Sequence, residues 1–116
     1  LPWSPLSSGM LSGKYIGGAR PEGSRWTLTQ RQGLFRNTEH SEQAIIAYCE
    51  VAKKHGMTPS QMALAWCDQV DGVTSTIIGA TKMSQLKENI DAFDLTLSGA
   101  CLADIEAVLQ QYTAPF

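Results

Sequence analysis

The stretch from Val73 to Ile90 constrains this chain most, because its pattern changes from strand to helix at one point. β-branched residues lead to Gly79-Ala80, and apolar residues then recur four apart at Leu86 and Ile90. Ser84 is the predicted N-cap of this helix. The start of a helix carries unpaired backbone N–H groups and the positive end of the helix dipole. The stretch therefore predicts a strand, a tight turn and a helix whose start favours an anion.

Polar side chains surround this predicted helix start. Thr81 and Lys82 supply a hydroxyl and a cation. Gln85, Glu88 and Asn89 follow at i, i+3 and i+4, so they share one face and are placed to contact a polar ligand. Strand-turn-helix junctions are common in α/β proteins. On spacing alone, an ordinary connection with a solvated polar face is therefore the more frequent interpretation.

Two helices are predicted before the junction and one after it. Apolar spacing indicates a helix from Ser41 to His55, and Thr58-Pro59 begins a second helix that ends at Asp71-Gly72. After Asp94–Leu97, Ser98 is the N-cap of a final helix that ends before Pro115. Its predicted apolar side consists of Leu102, Ile105, Leu109 and Tyr112.

The first helix pair resembles a helix-turn-helix, but its second helix has no Lys or Arg between Pro59 and Val70. A recognition helix without cations has little with which to contact phosphates and guanine. The net charge of −2 gives no general attraction to nucleic acid or anionic lipid. Apolar runs stay well short of the roughly 20 residues of a membrane helix. We therefore expect a cytoplasmic protein with neither nucleic acid nor membrane as partner.

The cysteines and histidines do not form a metal-binding pattern. Cys49, Cys67 and Cys101 are widely spaced and odd in number, which favours free buried thiols. His40 and His55 have no partner at ligand spacing, and a helix start and a helix end explain them. We therefore expect no metal site.

The front of the chain carries a second glycine-rich stretch. The sequence begins at Leu1 rather than methionine, as if a strand were already ending, so we expect residues upstream. Gly9 and Gly13 allow close approach of a ligand, and Lys14 supplies a cation. A long connection follows from residue 16 to about 38, in which Gly23-Ser24-Arg25 suits either a clamp over an anion or a solvated arginine.

Two motifs give the chain a family resemblance. The first is Trp3-Ser-Pro-Leu-x-x-Gly-x-Leu-Ser-Gly-Lys-Tyr15, and the second is Ile78-Gly-Ala-Thr-x-x-x-Gln-Leu-x-Glu-Asn-Ile90. Between them lies the helix pair with Gln61-Met-Ala-Leu-Ala-Trp66. In this order and spacing they resemble the C-terminal third of an aldo-keto reductase. The pattern is most similar to long bacterial members and to the β subunits of potassium channels.

The resemblance implies an α/β fold, the C-terminal part of a (β/α)8 TIM barrel with its last two strands and the helices that follow. It places Leu1–Ser4 at the end of the seventh strand and Thr74–Ile78 in the eighth. Loops after these two strands commonly hold phosphate in such barrels. We expect one partial domain over residues 1–116, mostly helical in isolation, with residues 16–38 as a cofactor loop.

The implied cofactor is NADPH. By position, Trp3 is similar to the residue that stacks on the nicotinamide, and Gly23 and Arg25 match a loop that folds over the cofactor. The pyrophosphate positions are Ser4, Pro5, Leu6, Ser7, Ser8 and Lys14. The adenosine positions are Gly79, Thr81, Gln85, Glu88 and Asn89, with Thr81 near the 2′-phosphate and Glu88 and Asn89 on the adenine.

The catalytic residues of the family fall outside the resemblance. Members reduce a carbonyl by hydride transfer, while a tyrosine assisted by a lysine, an aspartate and a histidine supplies the proton. All four lie on the first half of the barrel, and Tyr15, Tyr48 and Tyr112 match other positions. We therefore expect no catalytic residue here and weak or undetectable NADPH binding, which depends on the order of the 16–38 loop.

An alternative is a non-catalytic oligomeric assembly module derived from the same fold. Two strands cannot close a barrel, so their edges and the helix faces beside them require another surface. The expected partner is a second copy of the chain or the missing barrel portion. The carbonyl substrate is not determined by these residues.

Overall fold

The computed structural model of the protein describes residues 1–28 and 38–113. Two 3-10 segments, Ser7–Ser12 and Ile16–Gly18, come first. Five α-helices follow among the described residues: α1 Arg25–Leu28, α2 Glu39–Lys54, α3 Pro59–Gln69, α4 Met83–Ala92 and α5 Gly99–Gln111. The long helices α2 to α5 confirm the predicted helices. Residues 29–37 of the 16–38 loop lie outside the described residues, and residues 16–28 contain two short helical segments.

Side chains cap three of these helices. Thr58 Oγ1 accepts the N–H of Gln61 at 3.1 Å, and Ser98 Oγ accepts the N–H of Cys101 at 3.1 Å, so both predicted caps are confirmed. The start of α2 lies two residues before the predicted Ser41, because Thr38 forms a capping box with that serine.

The predicted cap of α4 is wrong. Ser84 lies inside the helix, which begins at Met83, and Lys82 occupies the cap position without a side-chain cap hydrogen bond. Gln85 Oε1 instead accepts the N–H of Thr81 at 3.1 Å and its hydroxyl at 3.2 Å. The turn before α4 is therefore fixed by a side chain that reaches back from the helix.

The two predicted strands are not formed within the described residues. Leu1–Ser4 and Thr74–Ile78 lie side by side, but the backbone bond between them is a single one, from Ile77 N to Pro2 O at 2.9 Å. A β-ladder requires repeated bonds along both chains. The described residues therefore form a helical structure in which two neighbouring segments are unpaired over most of their length.

The main core lies between α2, α3 and α5. Its buried side chains are Ala52, Met62, Ala65, Leu97, Cys101 and Ile105. A second cluster packs Met10 of the front loop on Ile45 of α2. Small residues on facing helices allow α2, α3 and α5 to approach closely, so the loops are carried on a packed helical base.

The apolar side of α5 is rotated from its predicted position. Cys101, Ile105 and Val108 are buried, whereas Leu102 and Leu109 are more than a third exposed. The buried residues recur at i, i+4 and i+7, which is an equally good helical stripe. The helix packs against α2 with this stripe, so the prediction was right for Ile105 and wrong for Leu102 and Leu109.

All three cysteines are free thiols, as predicted, but only Cys101 is fully buried. Burial raises the pKa of Cys49, Cys67 and Cys101, so each thiol is protonated at neutral pH and is a poor nucleophile. No helix among the described residues is long and apolar enough to span a bilayer.

Candidate ligand-binding cleft

A cleft of about 680 Å³ lies between the front loop, the segment before α1 and the start of α4. Ser60 and Leu64 of α3 also line it. These four parts of the chain are distant in sequence, and the helical core holds them together. Its volume is in the range typical of small-molecule and cofactor sites.

Most of the predicted site residues meet in this cleft. Those that line it are Ser4, Pro5, Leu6, Ser8, Lys14, Gly23, Arg25, Gly79, Thr81, Gln85, Glu88 and Asn89. Trp3 and Ser7 do not line it. Trp3 is 77% exposed, next to Ser4 at the edge of the cleft. The structure therefore brings both motifs to one place, and their role in binding a ligand stays a prediction.

The front loop has an uncommon backbone. Ser4, Ser7 and Ser8 have φ angles of 56°, 48° and 59°, in the left-handed region that residues other than glycine rarely adopt. Ser7 N donates to Ser4 O at 2.9 Å, and Gly9 N donates to Leu6 O at 2.9 Å. Such strain clusters at functional sites, where the surrounding structure holds it in place.

Gly9 lets Lys14 fold back over this loop. A Cβ at Gly9 would lie 3.0 Å from Lys14 Cε and 3.1 Å from its Nζ. The φ of Gly9 is 97°, so a side chain would also be strained there. The absence of a side chain at this position therefore leaves room for the Lys14 ammonium group over the loop at the cleft.

The segment before α1 forms another wall of the cleft. Ser24 is 7% exposed, and its Oγ has no hydrogen-bond partner among the described residues. Its backbone is ordered on both sides, since Ser24 N donates to Pro21 O at 3.0 Å and Thr27 Oγ1 donates to Ser24 O at 3.0 Å. Arg20 stacks on Trp26 with 4.1 Å from the guanidinium carbon to the ring centroid.

The start of α4 presents oriented polar groups. The side-chain oxygen of Gln85 is occupied by the two groups of Thr81, so its NH2 group is left to donate elsewhere. Asn89 is 4% exposed and lines the cleft one turn further along. The predicted common face of Gln85, Glu88 and Asn89 is confirmed, because all three line the cleft.

Glu88 is held from outside its own helix. Its Oε1 accepts a hydrogen bond of 2.6 Å from Thr58 Oγ1, at the start of α3. The side chain is half-buried and lines the cleft. A carboxylate held by a neutral hydroxyl keeps acceptor capacity for a second donor.

The charge of the cleft is mixed. Lys14, Arg25 and Lys82 are cationic, while Glu22 and Glu88 are anionic. Cations beside a left-handed loop and a helix start suit phosphate groups, and a carboxylate beside two amides suits a ring with both donors and acceptors. The cleft can therefore take an elongated ligand with an anionic part and a polar heterocycle.

Sequence reasoning assigned no site role to several lining residues. Pro21, Glu22, Ser24, Ser60 and Leu64 belong to this group. Ser24 lies between two predicted site residues, so its position was a usable signal. Ser60 and Leu64 belong to α3, and no local pattern there separates the cleft side from the core side.

The tyrosines lie outside the cleft. The hydroxyl of Tyr15 is buried without a partner among the described residues, in the cluster around Met10. Tyr48 packs against the main core, and burial raises its pKa, with a smaller contribution from Glu106. Tyr112 lies at the end of α5, with its ring against His40.

The sequence pattern of the Aldo/keto reductase family matches residues 1–110. The chain therefore belongs to the aldo-keto reductase family.

Relatives with curated names include proteins of bacteria, plants and a fission yeast. The chain is 47% identical to Protein tas of Escherichia coli K12 over 115 residues, which is 99% of this chain and 33% of that protein. It is 38% identical to a probable voltage-gated potassium channel subunit beta of Arabidopsis thaliana, over 93% of the chain and 34% of that protein. It is 37% identical to L-glyceraldehyde 3-phosphate reductase of E. coli K12, over 91% of the chain and 32% of that protein. The chain spans about a third of the length of these relatives.

Proposed function

We propose that this chain forms the NADP(H)-binding side of an aldo-keto reductase domain, within the (β/α)8 barrel that the family resemblance implies. The whole domain would reduce a carbonyl by hydride transfer. One observation carries the proposal. The front loop and the start of α4, assigned to the pyrophosphate and adenosine parts of one cofactor, line the same cleft. A cytoplasmic location stays a prediction of the sequence.

The residues of the cleft fit a phosphorylated dinucleotide. Lys14 lies over a loop of left-handed residues, and the NH2 group of Gln85 is oriented by Thr81. Asn89 is 4% exposed and lines the cleft one turn beyond Gln85, so its amide is placed to contact a ligand there.

When bound, NADPH supplies the hydride, and the part of this chain is to bind and orient it. Lys14 and Arg25 would neutralise phosphate charge, while Glu88 and Asn89 would contact the base. Because the three tyrosines lie outside the cleft, we propose that the proton donor belongs to the rest of the domain. The chain alone would then bind weakly and would not catalyse, because barrel sites are built from several strand ends.

A fluorescence titration of NADPH with the isolated chain tests this function. We expect weak binding, and we expect Arg25→Ala to lower the affinity roughly three- to tenfold through a lost charged contact. Lys53→Ala, on the exposed end of α2, is the matched control and should leave the affinity unchanged. Equal affinity in both variants, or NADPH oxidation that depends on an added carbonyl, would contradict the proposal.

We also propose that α4 packs against the rest of the aldo-keto reductase fold. Met83, Leu86 and Ile90 lie at i, i+3 and i+7 on one helical face and are 77%, 36% and 55% exposed. Beside them, the extended segment 74–80 makes a single backbone–backbone bond to another described segment, at Ile77. A closed barrel covers both features with the next strand and helix.

The relatives favour this occupant over a second copy of the chain. They extend over about three times the matched length, so they contain enough polypeptide for the missing strands and helices. A second copy would bring the same two unpaired segments, which cannot close an eight-stranded barrel.

Co-purification with the remainder of Protein tas, the part outside the matched third, tests the α4 surface. The tagged chain should retain it, and Met83→Glu with Ile90→Glu should abolish the capture. Leu102→Glu with Leu109→Glu, at apolar residues of α5 that are 36% and 39% exposed, is the control and should preserve it. Light scattering decides the alternative, since a dimer of the chain that the α4 variant dissociates would overturn the proposal.

A further inference from the structure

The hydroxyl of Thr58 joins the start of α3 to the cleft. Thr58 Oγ1 accepts the N–H of Gln61 at 3.1 Å and donates to Glu88 Oε1 at 2.6 Å. A hydroxyl carries one proton and two lone pairs, so it can make both bonds at once. The atom that caps α3 therefore also holds a carboxylate that lines the cleft.

This bond limits where the Glu88 carboxylate can lie. An unheld glutamate side chain samples several rotamers, and a ligand that binds it must offset the loss of that freedom. With Oε1 held by Thr58, the other oxygen keeps its full acceptor capacity. A carboxylate in a fixed position accepts an N–H donor of the ligand and disfavours an oxygen acceptor.

We propose that Thr58 is a positioning residue that gives the cleft its preference for a base with an amino group. The proposal rests on the proposed NADP(H) function. Adenine carries an amino group where hypoxanthine carries an oxo group. The Glu88 carboxylate held by Thr58 accepts a hydrogen bond from the amino group of adenine. With hypoxanthine, the carboxylate would face the oxo group, which is another acceptor.

The other described caps provide a comparison. Ser98 Oγ accepts the N–H of Cys101 at 3.1 Å at the start of α5, and it does not line the cleft. Loss of the Ser98 hydroxyl therefore removes a helix cap and leaves Glu88 in place. Loss of the Thr58 hydroxyl removes a cap and the link to Glu88 together.

The test compares NADPH with its hypoxanthine analogue in NMR titrations of the isolated chain, which detect weak binding. We expect the wild type to prefer NADPH roughly tenfold, the scale of a hydrogen bond to a charged group. Thr58→Asp keeps an excellent capping residue but replaces the hydroxyl donor by a second carboxylate, so the preference should fall close to one. Thr58→Ser should keep the preference for NADPH. Ser98→Ala should lower the stability of the chain without changing that preference.

The outcomes separate this inference from the function beneath it. If the wild type binds neither dinucleotide, the proposed weak NADPH binding by this chain fails, and the role of Thr58 in it fails too. If the wild type binds both equally, Glu88 does not select the base and the inference alone is overturned. If Thr58→Asp keeps the preference for NADPH, or lowers the affinity for both dinucleotides by the same factor, Thr58 acts only as a helix cap and the inference is again overturned.

Discussion

Helices α4 and α5 are similar in length but differ in what their apolar residues do. In α5, Cys101, Ile105 and Val108 are buried, and the helix packs against α2. In α4, which packs against α3, the buried residues are Asn89 and Ala92, and Met83 and Ile90 are exposed. The contrast separates a helix that completes the core of this chain from one whose apolar face has no cover among the described residues.

The matched pair Ile105→Ala and Ile90→Ala gives the largest expected difference. Ile105 is 9% exposed and Ile90 is 55% exposed. We expect the first to lower the free energy of unfolding by about 2 to 4 kcal/mol through a cavity, and the second by less than about 0.5 kcal/mol. Urea unfolding at two protein concentrations measures both.

Equal losses in the two variants would mean that Ile90 is covered in solution, which would break the comparison. Ile105→Val keeps the test usable if the alanine variant does not fold. It removes one methyl group and should lower the free energy of unfolding by about 0.5 to 1.5 kcal/mol.

The two serines near the helix starts sharpen the comparison at a smaller scale. Ser98 caps α5, while Ser84 lies inside α4 and makes no cap. Ser98→Ala should therefore lower the free energy of unfolding by about 1 kcal/mol. Ser84→Ala should leave the free energy of unfolding unchanged or raise it by about 0.5 kcal/mol, because alanine is the better helix former. Thermal unfolding of both variants measures the difference, and a larger loss at Ser84 would restore it as the cap.

The smallest expected effects are those of pH. Asp104 of α5 lies 2.8 Å from Lys54 Nζ and 2.7 Å from His55 Nε2, and the Lys54 and His55 bonds lower its pKa from the ordinary 3.8. A lowered pKa contributes stability above the ordinary value, and this stability is lost as the pH falls below 3.8. Asp104→Asn should therefore flatten the acid limb of a plot of urea midpoint against pH.

Helix α4 carries the opposite case. The hydrogen bond to Asp91 at 2.7 Å raises the pKa of Lys87 above the ordinary 10.5. This pair contributes stability below that pH and loses it as the pH rises further. Lys87→Met should change the alkaline limb only. An acid effect of Lys87→Met as large as that of Asp104→Asn would remove the distinction between the two helices. Both effects should be small because Lys54 and Lys87 are exposed to solvent, which weakens each ion pair.

Local patterns were sufficient for the helices. Thr58 with Pro59, and Ser98 before an apolar run, each mark a helix start by a side chain that bonds within its own first turn. Such signals depend on residues three apart, so they can be interpreted without a fold. The same reasoning failed at Ser84, because the turn before α4 is held by the side chain of Gln85, whose oxygen accepts the N–H of Thr81.

Much of the cleft could also be predicted, but through family resemblance rather than local chemistry. Lys14 and Gln85 were assigned because they lie in two motifs, and the structure brings them to one cleft. Ser24 and Ser60 were missed, since nothing in a short window tells which side of a helix or loop will face a cavity. Trp3 was assigned a site role but does not line the cleft, since its side chain is 77% exposed next to Ser4.

The sequence by itself determined the existence of the four long helices, the caps of α3 and α5, the absence of a cationic recognition helix and the family to which the chain belongs. These depend on short-range bonds, composition and motif order. Only the tertiary structure decided which stripe of α5 is buried, that Leu1–Ser4 and Thr74–Ile78 share a single backbone bond, and that Thr58 reaches Glu88. Each of these depends on how distant segments pack, and packing energy is a property of pairs of surfaces that no single stretch contains.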